Sequence, residues 1–284
     1  STLQKHVSYK AVFTEYRGHA VKLAASVTAK ASPEHPVYLI AVGGDGTIQE
    51  VLSGVKDLSC IYFGYIPTGS GNDFCRSMQL PQDPHEALNC ILKRKHIASM
   101  DVPVISIKGR KSHFAISCGI GFDAAVCHEV GVTPMKKVLN RVGLGKLVYL
   151  FVALKQLLFL KPVPVTLRMD EERIYPFHKV YFAAVMNQKY EGGGFKFCPD
   201  ASPSDGYLDV IVVDGLSKLK VLFCLPTAFW GKHTQFTGIH IFRCKKVEVF
   251  STVPLAVHKD GESAGIQETF SVSIEKEPVK IILP

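Results

Sequence analysis

Along the first hundred residues, unbroken apolar runs alternate with stretches whose apolar residues recur at helical spacing. Val37 to Val42 is a continuous run ending in Gly43-Gly44, the pattern of a strand buried on both faces. Ile61 to Ile66 repeats that pattern and stops at Pro67, and Lys10 to Phe13 is a short apolar run. His19 to Lys30, Thr47 to Val55, Ser70 to Met78 and Pro84 to Arg94 read as helices, the last with proline in its first turn. Strand–helix alternation predicts an α/β domain over residues 1–100, built on a parallel sheet with ligands at the carboxyl ends of its strands. Beyond Met100 the pattern changes. Val102 to Ile107, His113 to Cys118, Val163 to Met169, Lys179 to Val185, Leu208 to Val213, Val247 to Phe250 and Phe270 to Ile274 are rich in Val, Ile and Phe, with turn residues between them. A mostly β domain over 101–284 follows, interrupted by one apolar helix near Leu144 to Leu160; whether the last strand returns to the first domain is left open.

Composition narrows the class. With 284 residues, 47% hydrophobic and 20% charged, the chain has ample core for one large or two modest domains and is not disordered. The net charge of +8 suits nucleic acid, anionic membrane or phosphorylated ligands without choosing among them. None of the eight cysteines forms a C-x-x-C pair, which points to buried, reduced thiols in a cytoplasmic protein. The longest apolar run, Leu147 to Leu160, falls short of the about 20 residues that a spanning helix needs. Ser1 to Lys10 is polar and basic and lacks the apolar core of a signal peptide.

Four segments carry chemistry. Gly43-Gly44-Asp45-Gly46-Thr47 sits between a buried strand and a helix, where glycines allow close approach and free N–H groups attract phosphate. Asp45 is out of place in a pure phosphate cradle; it fits if it orients a loop, holds a Mg²⁺ water or lies beside the transferring phosphate. Pro67-Thr68-Gly69-Ser70-Gly71-Asn72-Asp73-Phe74 is a second polar loop at the same end of the sheet, and otherwise reads as a helix cap by Ser70 or Asn72. Two such loops point to one nucleotide site between them, of neither the Rossmann nor the Walker type. Glu191-Gly192-Gly193-Gly194, followed by Pro199 to Gly206, offers hard oxygen ligands or is a plain surface loop. His258-Lys259-Asp260-Gly261-Glu262 is either a tight turn between strands or a pair of carboxylates fit for base or metal work.

In order and spacing these segments resemble the diacylglycerol kinase catalytic family, which includes sphingosine kinases and bacterial lipid kinases. The matching residues are Gly43 to Val51, Pro67 to Arg76, Gly192 to Gly206 and Asp260-Gly261-Glu262, with Gln49, Ser70 and Cys75 as small departures. The resemblance implies a phosphofructokinase-like α/β domain followed by a β-sandwich, with ATP and Mg²⁺ in the cleft. It implies nucleotide contacts at Thr14, Gly43, Gly44, Asp45, Gly46, Thr47, Ile48, Gln49, Ser70 and Asn72. Ser202, Asp205 and Tyr207 match a structural metal loop, Tyr207 through its carbonyl. Glu262 matches the proton acceptor, with Asp260 a rival, and Asp45 completes the catalytic set. The family's first strand is not visible, so the chain is expected to begin after it.

A lipid acceptor requires peripheral contact with a membrane. Lys136, Lys137, Arg141 and Lys146, leading into the apolar helix, suit an anionic surface, although that helix also reads as core. The resemblance leaves open which lipid is phosphorylated and whether the chain dimerises. A soluble NAD or sugar-type kinase and a non-catalytic ATP-binding relative are the rival readings; nucleic acid is not expected, for want of an aromatic-basic reading surface.

Overall fold

The computed structural model describes residues 7–132, 152, 155–157 and 159–284. Lys10 to Phe13 is not a strand; it is exposed coil, because so short a run gains strand structure only by pairing and no described strand pairs with it. Helix α1 (His19–Thr28) starts at Gly18 with no side-chain cap of its own. Glu50 of α2 (Asp45–Gly54) caps it from outside, accepting the N–H of Gly18 at 2.8 Å and of Ala20 at 3.3 Å.

Strands β1 (Val37–Gly43) and β2 (Ile61–Pro67) run parallel in unbroken register from Val37↔Ile61 to Gly43↔Pro67. Both therefore end at the same level, and the two glycine-bearing segments begin side by side. Short helix α3 (Asp73–Ser77) and α4 (Pro84–Lys93) follow β2. Strand β3 (His96–Met100) is not among the strands the pattern predicts, since three of its five side chains are exposed. The last strand, numbered β13 (Val279–Leu283), inserts between β2 and β3, giving the order β1-β2-β13-β3. Ile48, Leu52, Ile61, Phe63, Phe74, Met100 and Ile281 fill the core of this unit.

The second unit is one nine-stranded sheet folded on itself. It comprises β4 (Pro103–Ile107), β5 (Arg110–His113), β6 (Ser117–Gly121), β7 (Val163–Met169), β8 (Arg173–Met186), β9 (Leu208–Asp214), β10 (Ile239–Cys244), β11 (Lys246–Lys259) and β12 (Glu262–Ile274). The long strands β8 and β11 make the fold-over: β7 pairs with the early part of each, β6 with the later part. A register shift against β12 between Phe250 and Leu255 marks where β11 bends. Phe114, Ile120, Leu167, Met169, Val210 and Val247 fill the interior. The outer face of β8 and β9 packs Phe182, Met186 and Ile211 against α5 (Phe122–Val132) and α6 (Lys218–Thr227). Covered on both faces, β8 is buried without interruption from Val180 to Met186.

Most of the apolar helix expected at Leu144 to Leu160, and all of Lys136, Lys137, Arg141 and Lys146, lie outside the described residues. No helix among the described residues is long and apolar enough to cross a membrane. Cys60, Cys75, Cys118, Cys198, Cys224 and Cys244 are buried.

Candidate active site

The two loops after β1 and β2 meet backbone to backbone. Gly43 accepts the N–H of Thr68 at 2.8 Å and the Tyr65 hydroxyl at 3.0 Å. A Cβ on Gly69 would lie 2.6 Å from the Gly44 Cα, so this contact admits glycine only. Gly69→Ala is expected to destabilise the chain by about 1–3 kcal/mol, because the clash is with backbone that no rotamer can move aside. A thermal midpoint equal to that of the parent would contradict this.

Asp45 orients the second loop, one of the roles its position allowed. Its carboxylate accepts the N–H of Asp73 at 3.1 Å and of Phe74 at 3.4 Å, capping α3. Burial raises its pKa, against those two N–H groups and the Arg76 charge. Asp73 makes the next tie: it pairs with Arg76 and accepts the Gly193 N–H at 2.6 Å. Burial pushes its pKa up to about 6, opposed by Gly193 and reinforced by Asp45. The third loop closes on itself, Glu191 and Phe195 exchanging two backbone hydrogen bonds at 3.0 Å around Gly192, Gly193 and Gly194. All three glycines have positive φ, a path closed to a run of L side chains.

The other expected nucleotide contacts divide by burial. Thr14 and Ser70 are exposed, and Asn72, left-handed at φ 51°, receives the Tyr65 hydroxyl at 3.4 Å. Ile48 is fully buried in the core and Gln49 is buried with its amide toward Ser53, so only their backbone can face a nucleotide.

The β11–β12 turn, Asp260-Gly261, has positive φ at both residues, as a two-residue hairpin of type I′ requires. Asp260 is buried and accepts three N–H groups, from Ala115 at 2.7 Å, Ile116 at 2.8 Å and Ser117 at 3.0 Å. Burial lifts its pKa to about 6 against those donors. Its carboxylate anchors the turn. Glu262, partly exposed and paired with Arg17, instead packs over the first loop: a Cβ on Gly46 would lie 3.4 Å from its Oε1.

Beneath the turn is a cluster that motif spacing does not reveal. His258 Nε2 lies 2.9 Å from Asp123 Oδ2 of α5 and 3.3 Å from Glu191 Oε1, with the imidazole fully buried. Burial alone would lower the imidazole pKa, but the two carboxylates outweigh it and raise it to about 9. Burial raises Glu191 to about 7, against the pull of His258. His258 was visible only as part of the turn, and nothing in the sequence pattern singles out Asp123.

Ser202, Asp205 and Tyr207 form a closed turn elsewhere. Asp205 accepts the Tyr207 N–H at 3.0 Å and pairs with Arg243, while Ser202 Oγ lies 3.4 Å from Ser204 Oγ. Asp101, the nearby carboxylate, accepts the Gly206 N–H at 2.7 Å.

Comparison with known proteins matches both halves of this arrangement. Residues 1–104 match the family described as "Diacylglycerol kinase catalytic domain", and residues 117–282 match the "YegS C-terminal NAD kinase beta sandwich-like domain". A Bacillus subtilis protein named "Putative lipid kinase YtlR" is 30% identical, over 98% of this chain and 90% of that protein. The chain belongs to the diacylglycerol kinase catalytic family. A Staphylococcus saprophyticus protein named "Diacylglycerol kinase" is 26% identical, over 88% of this chain and 78% of its own length. The fold of this kinase is also that of a Bacillus anthracis crystal structure of 24% identity and TM-score 0.73, covering 95% of this chain and 83% of that one. As a lipid-kinase family member, the chain has the expected two-domain architecture, α/β followed by a β-rich unit.

Proposed function

We propose that the chain is an ATP-dependent kinase that transfers the γ-phosphoryl group to the hydroxyl of diacylglycerol or a related lipid alcohol. The observation that supports this best is the position of Glu262, which the second unit's hairpin delivers to the first glycine loop, at Gly46. A base held against a phosphate-binding loop is what in-line phosphoryl transfer needs, since positioning and charge neutralisation supply most of that catalysis.

The residues fit a polyphosphate. The loops of Gly43 to Thr47 and Gly69 to Asn72 meet without a side chain between them at Gly44 and Gly69, and α2 begins there with its first N–H groups lacking helical partners. Thr14 and Ser70 offer exposed hydroxyls, and Ile48 and Gln49 offer backbone only. They also fit a divalent cation: Asp45 adds to the negative field on Asp73, with Arg76 as the paired cation, and each carboxylate oxygen keeps a second lone pair. Bound Mg²⁺ with ATP supplies a charge-neutralised phosphoryl donor. Asp45 would hold the cation's shell while it keeps α3 in place. Glu262 would accept the proton of the lipid hydroxyl once its pairing with exposed Arg17 is released, and Asp260 would hold the turn that aims it.

The test is transfer of label from γ-labelled ATP with Mg²⁺ to mixed micelles containing diacylglycerol, sphingosine or other lipid alcohols, alongside NAD without lipid. Labelled phosphatidic acid is the expected product. Label on another lipid alone changes the acceptor. Label on NAD alone, or on nothing, sinks the proposal.

A further inference from the structure

Helix α6 presents apolar residues on two sides. Val221 enters the core over β8 and β9, as does Ala228 just beyond the helix end. Leu219, Leu222 and Phe223, with Phe229 and Trp230 of the following turn, face outward instead. Leu219, Phe223 and Trp230 are 64%, 71% and 70% exposed. Their spacing continues one stripe along the helix and into the turn. Apolar side chains gathered at this exposure mark an interaction surface rather than ordinary scatter.

Charge selects the partner. From Gly215 to Val247 the sequence contains no Asp or Glu, while Lys218, Lys220 and Lys232 flank the apolar stripe. Exposed Trp, Phe and Leu with lysines at their margins and no acid within their own segment match an anionic lipid surface, where rings enter the headgroup layer and ammonium groups meet phosphate. A second copy of the chain would set these lysines face to face across a two-fold axis.

The stripe also abuts the site. Phe229 stacks on Phe195 with ring centroids 4.0 Å apart, and Phe195 closes the third glycine loop. A Cβ on Gly194 would lie 3.6 Å from Arg76, the partner of Asp73, and 3.8 Å from Phe229.

We infer that α6 and its Trp230 turn dock the protein on an anionic bilayer, with the Gly192 to Gly194 loop facing the interface from which the acceptor lipid enters. The docking stands on the surface alone; the lipid entry rests on the lipid-kinase reading.

Trp230 is the sole tryptophan, so its fluorescence reports this surface directly. The full chain is titrated with phosphatidylcholine vesicles, and with vesicles also containing phosphatidylglycerol, without ATP or acceptor lipid. The expected result is a shift of emission to shorter wavelength, and quenching by brominated acyl chains, on anionic vesicles only, reversed by salt. The Leu219→Ser/Phe223→Ser variant should keep the parent's thermal midpoint and partition about tenfold more weakly, since two exposed apolar side chains no longer enter the interface. Emission that anionic vesicles do not move, or co-sedimentation unaffected by the double variant, overturns the inference. So does a concentration-dependent dimer in sedimentation velocity that the double variant abolishes, which would assign the stripe to a second copy. Assay on a dispersed short-chain diacylglycerol separates the two readings. Docking without transfer to any lipid sinks the kinase reading alone, and transfer with an unmoved Trp230 sinks the docking alone.

Discussion

Glu262→Gln is expected to lower kcat by about two orders of magnitude or more, the range for a lost general base, with ATP affinity close to that of the parent. Glutamine keeps the size and hydrogen-bonding reach of glutamate but cannot accept a proton. It also leaves the hairpin undisturbed, because the turn is held by Asp260 through three backbone N–H groups and not by Glu262. Steady-state transfer to micellar lipid, with nucleotide titration of the same variant, separates chemistry from binding. Near-normal turnover would remove Glu262 from the role. Asp260→Asn behaves differently: it leaves at least one of those three buried N–H groups with a poorer acceptor, so its first effect is on stability.

His258→Gln is expected to cost about 3–5 kcal/mol of stability, because it leaves the largely buried Asp123 and the buried Glu191 without the cation between them. For a chain of this size that is a fall on the order of 10 °C in thermal midpoint. The pH dependence has a definite sign. The imidazole is raised from 6.5 to about 9, so its contribution is complete below 6.5 and is lost as pH rises through 9. Glu191, raised from 4.5 to about 7, acts in the same direction over a lower window. The parent should therefore lose thermal stability between pH 6.5 and 9, and the variant should lose less across that interval. Melting curves at both ends of the interval check this; identical slopes in parent and variant would show that His258 is not the charged partner.

The difference between these two residues shows where legibility ended. Glu262 stands in a three-residue motif whose order and spacing relative to the glycine loops point to it. His258 stands four residues earlier, and its partners are 135 and 67 positions away in the chain. The same holds for Asp45, whose position allowed several roles until the N–H groups of Asp73 and Phe74 were seen to meet it. Helix α6 was missed for another reason: it is apolar on its outer side as well as its inner one, so no clean alternation of polar and apolar positions marks it.

What the chain alone made readable was local. Strands β1 and β2, the helices after them and the glycine segments depend on neighbours within a few residues, through backbone sterics and apolar periodicity, and those are written in consecutive letters. What the tertiary structure decided was partnership. The level ends of β1 and β2 come from register, the insertion of β13 beside β2 from a strand more than two hundred residues later, and the link from Gly46 to Glu262 from contact between the two units. The carboxylates of Asp45, partly buried, and of Asp73 and Asp260, buried, take their roles from the particular N–H groups that meet them. Desolvation makes each such partner necessary, and only the folded path of the backbone determines which one it is.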